Sequence, residues 1–179
     1  PEFDQMLFNL PLAGSTFKKV YFDTVMGRSV SKFVPAEDLV IPYNATSLDD
    51  ADAIMHVIRV TENDLRKQQL SGFYADIEIG SASSKQDDVL DKKNELEGVS
   101  TTNGGDLYSL IECHVNLDIP GFEDLDLETE EPTGLKLPYI VTFVEDSGDV
   151  LSIRRNFAEG DQSRKRKDYF VHFKFLPGL

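Results

Sequence analysis

The sequence predicts an α+β fold built mainly from antiparallel strands with a few short helices. Most of its apolar stretches are short and rich in β-branched and aromatic residues, polar turns separate them, and few segments have helical spacing. A chain of 179 residues supports one domain or two small ones. We divide it into a first α+β half at 1–79, a flexible charged insertion at 80–106, and a β-rich half at 107–179.

The first half opens with a predicted helix followed by a β-hairpin. A short helix is predicted over 4–10, because its apolar residues share one side, and Pro11 and Gly14 end it. The shared side consists of Phe3, Met6, Leu7 and Leu10. Residues 15–23 and 29–34 are rich in strand-forming types and are joined by a short polar link, which predicts the hairpin.

A third strand and a strand–helix unit complete this half. Residues 39–43 predict a short strand, and Pro42 indicates an edge position or a strand end. A strand over 53–60 leads to Thr61, which begins an N-cap box with a carboxylate three residues later. A helix of about ten residues should follow and end near Gly72, since glycine readily takes the left-handed position at a helix C-terminus.

The insertion at 80–106 is the part least suited to packing. Its ends are rich in Gly, Ser and Thr, and it predicts a charged helix over 85–97 that solvent or a partner covers. The second half is mostly strand, with a turn at 146–149. Its predicted strands span 107–117, 137–145, 150–155 and 169–175.

Composition excludes several classes of protein. A net charge of −14 disfavours a nucleic-acid-binding module that grips phosphates, whereas a surface past which DNA slides without sticking tolerates it. No apolar run is long enough to predict a membrane span. The single cysteine, Cys113, cannot form an internal disulfide and should be a buried, inert thiol. Because the chain begins at Pro1 without Met and ends on apolar residues, we expect an excerpt from a longer polypeptide.

Residues 118–131, the acidic loop, contain seven carboxylates and no lysine or arginine. Calcium is one interpretation, since hard cations take several oxygen ligands. An EF-hand loop begun at Asp124 would need Gly and Glu where this chain has Thr129 and Leu135. A solvated loop kept extended by self-repulsion is the better prediction.

Residues 164–167, the basic patch, concentrate positive charge between two predicted strands. A charged hairpin loop is the commonest structure for such a run, and two functional interpretations stay open: docking against the acidic loop of a neighbouring copy, or contact with DNA phosphates. The candidate contacts between subunits are Arg164, Lys165, Arg166, Lys167, Glu123, Asp124, Asp126 and Glu128.

No motif predicts catalysis, a cofactor or a metal. A Gly-x-Ser-x-Gly elbow, a His-Glu-x-x-His pair, a Cys-x-x-Cys pair and a phosphate-binding glycine loop are all missing from the sequence. His56, His114 and His172 each lie in a predicted strand, where a hydrogen-bonded core or surface imidazole is commoner than a catalytic one. We therefore predict no enzyme activity, no catalytic residues and no cofactor.

Four long stretches resemble the portal proteins of short-tailed bacteriophages. The first spans 3–43 and begins FDQMLFNLPLAGSTFKKVYFD; the second spans 56–74 and begins HVIRVTENDLRK. The third joins GLKLPYIVT at 134–142 to GDVLSIRRN at 148–156, and the fourth is YFVHFKFLPGL at 169–179. Residues 80–106 and the acidic loop show no such similarity.

This resemblance implies a structural subunit and a set of partners. Portal proteins of this kind form rings of identical subunits, typically twelve, at one capsid vertex, where they are the conduit for genome packaging and ejection. By position, this chain resembles the wing region that precedes the first stem helix. Implied partners are the other subunits, the major capsid and scaffolding proteins, the packaging terminase, tail and head-completion proteins, and double-stranded DNA that passes without sequence-specific binding. The resemblance places the protein in the virion, and in the host cytoplasm during assembly, without a membrane.

Two other function classes stay open at this point. One is a non-catalytic virion β-domain, of tail or baseplate type, that binds another structural protein. The other is an acid-rich, metal-dependent hydrolase, which calorimetry with calcium and magnesium would test.

Overall fold

A computed structural model describes residues 2–23, 27–80, 107–126, 129–158, 160–161 and 163–175. Within these ranges it has eight strands, two α-helices and a short 3₁₀ helix at Ala36–Asp38. The elements are α1 (Glu2–Ala13), β1 (Ser15–Asp23), β2 (Arg28–Val34), β3 (Leu39–Val40), β4 (Ala53–Thr61), α2 (Glu62–Leu70), β5 (Leu107–Leu117), β6 (Leu137–Val144), β7 (Val150–Arg155) and β8 (Phe170–Lys174). Mainly antiparallel strands in two sheets with two helices confirm the predicted α+β fold.

The first sheet has three strands in the order β2-β1-β8. β1 and β2 form the predicted hairpin, with Phe17 opposite Val34, and β8 pairs with the other side of β1, with Phe17 opposite His172. Side chains alternate between the two faces of a strand, so Phe17 and Thr16 point in opposite directions.

The second sheet has five strands in the order β3-β4-β5-β6-β7. β3 lies at its edge, where Pro42 predicted it, but it contains two residues rather than the five expected. The chain leaves the sheet after Val40 because Pro42 has no N–H for a ladder and begins a turn, accepting a hydrogen bond from the Ala45 N–H at 3.0 Å. β4 and β5 are neighbours in this sheet, although residues 80–106 separate them along the chain.

The first helix is longer than predicted. It runs through Pro11, so the prediction that Pro11 ends it is wrong. A proline in the last turn removes one backbone hydrogen bond, but the two residues that follow it can still be helical. Gly14, with φ of 71°, ends the helix and donates to the Leu10 carbonyl at 2.9 Å. Met6 is buried, whereas Phe3 and Leu7, expected on the same packed side, are exposed.

The second helix is confirmed by its caps. The Thr61 hydroxyl accepts from the Asp64 N–H at 3.2 Å, which satisfies a backbone donor at the N-terminus. The pKa of Asp64 is lowered by Lys67 and by the Thr61 hydroxyl, so the carboxylate of this first turn stays ionised. At the other end, Gly72 has φ of 74°.

The chain forms two compact units, and each draws on both sequence halves. Unit 1 contains Pro1–His56, Cys113–Ile140 and Arg154–Leu179, and unit 2 contains Val57–Glu112 and Val141–Ile153. The core of unit 1 consists of Phe17, Val34, Leu39, Ala51, Ile54 and Phe170. The core of unit 2 consists of Leu65, Tyr74, Tyr108, Leu110, Val144 and Leu151. Except for Gly80, the predicted insertion lies outside the described residues.

Two further predictions concern single features. Cys113 is buried in β5, as predicted, and that burial raises the pKa of its thiol. Among the described residues, none of the helices has the length and apolar character needed to span a bilayer.

Candidate functional site

The basic patch lies in unit 1 on the loop that connects β7 to β8, and a tight turn precedes it. The Asp161 carboxylate accepts from the Ser163 N–H at 2.9 Å and from its hydroxyl at 2.7 Å, and these bonds lower the pKa of Asp161. The Asp161 carbonyl accepts from the Arg164 N–H at 3.1 Å. Arg164 itself has φ of 47°, a left-handed conformation that costs a non-glycine residue roughly 1 kcal/mol.

Arg166 anchors the patch to the segment that leads into β4. Its Nη1 donates to the Ala51 carbonyl at 2.8 Å and its Nη2 to the Leu48 carbonyl at 2.6 Å. A guanidinium is suited to this because its donors are held in a fixed planar fork. The fork is thus engaged with the backbone of its own chain.

Arg164 pairs with the acidic loop of the same chain. Its Nε lies 2.5 Å from Asp124 Oδ1, and the two side chains are only 28% and 10% exposed. The other Asp124 oxygen accepts from the Thr133 hydroxyl at 2.9 Å. Contact between these two loops in neighbouring copies was one interpretation of the sequence, and the structure brings this pair together within one copy.

Described residues on the two sides of the acidic loop are hydrogen-bonded to each other, which corrects the prediction of an extended segment. Leu125 and Pro132 form an antiparallel bridge, and the Asp126 N–H donates to the Glu131 carbonyl at 2.9 Å. Backbone hydrogen bonds and the charge of Arg164 offset the repulsion between carboxylates, which the sequence argument treated as dominant.

The other candidate residues for contacts between subunits differ in how exposed their side chains are. Lys165, Lys167 and Asp126 have exposed side chains, and Glu123 is half-buried. The Glu123 carboxylate accepts from the Gly121 N–H at 2.8 Å, which lowers its pKa. Glu128 lies outside the described residues.

A cleft with a volume of about 450 Å³ lies beside the basic patch, within unit 1. Its walls carry both signs of charge, from Asp49, Asp50, Asp52, Asp168, Lys136, Arg164, Lys165 and Arg166. Such a wall repels a polyanion at its carboxylates and a multivalent cation at its ammonium and guanidinium groups, so its charge favours neither. Within the described ranges, no three His, Cys, Asp or Glu side chains are grouped to hold a metal ion.

A serine–histidine pair in the three-stranded sheet was not predicted. Ser15 Oγ lies 2.5 Å from His172 Nε2, and the imidazole stacks on Phe17 with ring centroids 4.5 Å apart. Burial, and then the charge of Lys174, lower the pKa of His172, which favours the neutral ring. The tautomer of that ring decides whether Nε2 donates to the hydroxyl or accepts from it. A hydrolase of this type also needs an orienting group and an oxyanion site, and no carboxylate contact to His172 is found among the described residues. The two partners lie 157 positions apart, which is why no local pattern signals them.

The other two histidines meet at one aromatic ring. Phe170 lies edge-on to His56 at 5.6 Å and to His114 at 5.3 Å between ring centroids. His114 is fully buried, and its Nδ1 lies 3.4 Å from Asn156 Nδ2. All three histidines lie in strands, as predicted; His114 is buried within unit 1, whereas His56 is partly buried.

Neither a protein-family model nor a curated protein matches this chain.

Proposed function

We propose that this chain is the wing region of a phage portal subunit, a structural component of the ring at the capsid vertex. The observation that carries the proposal is the resemblance of the four long sequence stretches to portal proteins of short-tailed phages. Such a subunit acts through geometry and self-association rather than through a reaction.

The positions of the four stretches support the proposal. The first covers α1 to β3, the second β4 and α2, the third β6 and β7, and the fourth β8. They supply seven of the eight described strands and both helices. Similarity concentrated in the elements that build both sheets is the pattern that a shared fold produces.

Charge and chemistry are consistent with a passive conduit. A chain with a net charge of −14 limits adhesion of a sliding duplex. Arg164 and Arg166, which would be the natural phosphate contacts, are engaged with Asp124 and with two backbone carbonyls of their own chain. In this proposal the ring docks the packaging terminase, the ATPase belongs to that partner, and the capsid, scaffolding and tail proteins contact other faces of the ring.

The test is negative-stain microscopy of the complete gene product to which this chain belongs. The proposal expects annular particles with a central hole, and native mass spectrometry should give a mass that is a multiple of one subunit. Single globular particles at micromolar concentration would overturn it and would favour a virion β-domain of the tail or baseplate type. Turnover of any substrate by the purified protein would also contradict it.

A further inference from the structure

The hairpin of β1 and β2 carries most of its positive charge on one face. Phe17 and Val34 lie opposite each other in the hairpin and are both buried in the core of unit 1. Side chains two positions apart on a strand share a face, so Lys19 lies on the same face as Phe17, and Lys32 lies directly opposite Lys19. Arg28, four positions before Lys32, belongs to this face as well. Lys19, Arg28 and Lys32 form what we call the cationic hairpin face.

Two of these cations are held close together. The Cβ atoms of directly opposite residues lie only about 4.5–5.5 Å apart, and like charges in such positions destabilise a strand pair. Lys19 Nζ is 5.8 Å from the ring centres of both Tyr21 and Phe170, so two aromatic rings position that ammonium group. An anion bound between Lys19 and Lys32 would relieve their repulsion and would meet an ammonium group that is already in place.

The carboxylates of the chain leave much of this charge unneutralised. Acidic residues outnumber lysine and arginine by 32 to 18, so a basic side chain has many carboxylates available to it. Even so, Lys32 and Arg28 are exposed and form no ion pair with any residue that the structure describes. Asp23, opposite Arg28, is the only carboxylate in 15–34, so the end with Lys19 and Lys32 is the more positive one. The face is therefore suited to an anionic partner.

The surroundings of these cations favour a nucleic-acid backbone over a protein surface. In the described part of the hairpin, this face exposes no large apolar side chain, since Tyr21 and Val30 are half-buried. The exposed Val20 and Phe22 lie on the opposite face. Protein–protein interfaces are depleted in lysine and have an apolar centre, whereas interfaces with nucleic acids are polar, wet and positively charged. Lysine binds a phosphate as a point charge, and such contacts do not read bases.

We propose that the cationic hairpin face contacts the phosphates of double-stranded DNA without reading its sequence. This inference deepens the proposed function and rests on it for the choice of duplex DNA among nucleic acids. The contact is weak and sensitive to salt, because three cations supply it while the net charge of −14 repels the duplex. A contact of this strength guides a moving duplex without holding it.

Fluorescence anisotropy of the complete gene product with a short labelled duplex tests the contact. Affinity should fall as salt rises from about 50 to 200 mM, with a linear plot of log affinity against log salt concentration. Lys32→Gln and Arg28→Gln should each reduce the slope of that plot by about one, the contribution of one phosphate contact. Lys18→Gln is the matched control, because it removes the same charge from a neighbour of Lys19 whose side chain points to the opposite face. Its slope should equal that of the parent.

The other results have different meanings. Equal slopes for Lys32→Gln and Lys18→Gln overturn the inference, because the face on which the charge lies would then not matter. Polyglutamate that binds more tightly than the duplex overturns it in favour of an acidic protein partner. Intact rings that bind no DNA at about 50 mM salt overturn it and leave the proposed function standing. If no rings form but the slopes change as expected, the proposed function fails and the phosphate contact stands.

Sequence dependence and stability provide further measurements. Duplexes of equal length and different sequence should bind equally well, because phosphate contacts carry no sequence information. A preference of about tenfold or more for one sequence would reveal base contacts and contradict the inference. Lys32→Gln should also raise the thermal midpoint slightly, since it removes a like charge directly opposite Lys19. A lower midpoint would show that the two lysines do not repel each other, and circular dichroism shows whether each variant is folded.

Discussion

Arg164 and Asp124 form an ion pair inside unit 1, with Nε and Oδ1 2.5 Å apart. The pair fastens the acidic loop to the basic patch of the same chain, so neither loop is an independent charged arm. A contact between neighbouring copies through these loops therefore depends on the exposed Lys165, Lys167 and Asp126 rather than on Arg164.

Asp124→Asn should lower the free energy of unfolding by about 1–3 kcal/mol, because it leaves the half-buried Arg164 guanidinium without its charged partner. Urea denaturation measures the change. Asp118→Asn is the matched control, since it makes the same chemical change at an exposed position of the same loop. Equal effects of the two substitutions would mean that the pair adds nothing to stability.

Arg166→Lys should also destabilise the chain, by about 1.5–3 kcal/mol, although it keeps the charge. A lysine amine is a point donor, so it cannot reach the Leu48 and Ala51 carbonyls as the guanidinium fork does. Thermal unfolding measures the effect. Lys165→Arg alters an exposed neighbour and should leave the midpoint unchanged; an Arg166→Lys midpoint equal to that of the parent would refute the anchoring role.

Stability should rise with pH just below pH 6.5 because of His172. Its folded pKa is lowered by burial and by Lys174, so the unfolded chain binds the proton more readily in this range. The contribution is fully present above the unfolded value of about 6.5 and is lost as the pH falls through the folded pKa. His172→Asn should flatten the pH dependence of the thermal midpoint in the range just below pH 6.5. Ser15→Ala retains the imidazole and should retain the slope.

Thr61→Ala should cost about 1 kcal/mol, because the Asp64 N–H loses its capping hydroxyl. Thr61→Ser keeps that oxygen and should lie within a few tenths of a kcal/mol of the parent. Chemical denaturation compares the two. The cap explanation fails if serine is as harmful as alanine.

The parts of the fold that follow from local rules were predictable. The β1–β2 hairpin, the turn between β6 and β7, and the capped helix α2 each depend on residues a few positions apart. The end of α1 was misjudged at Pro11, because proline in a last turn is tolerated when a glycine soon supplies the left-handed cap.

The candidate site was predictable only in part. The charged residues of the site could be identified from the sequence. Their contact partners could not, because several of these contacts join residues that are far apart along the chain. Arg166 reaches a carbonyl 115 positions away, and Ser15 reaches a histidine 157 positions away. The bridge between Leu125 and Pro132 was missed for a different reason, since its residues are close in sequence but a count of charges gives no sign of it.

The pairing of β1 with β8 affects how the protein is made. Ser15 pairs with Lys174, which the ribosome adds much later. When the hairpin emerges, the backbone N–H and C=O groups on one side of β1 therefore have no partner strand. At the usual pace of about 5–20 residues per second, that delay is on the order of ten seconds. During it, a bare strand edge and the Phe17 side of the core are available to other nascent chains. Production of this protein should therefore benefit from slow expression, low temperature or a chaperone that shields strand edges.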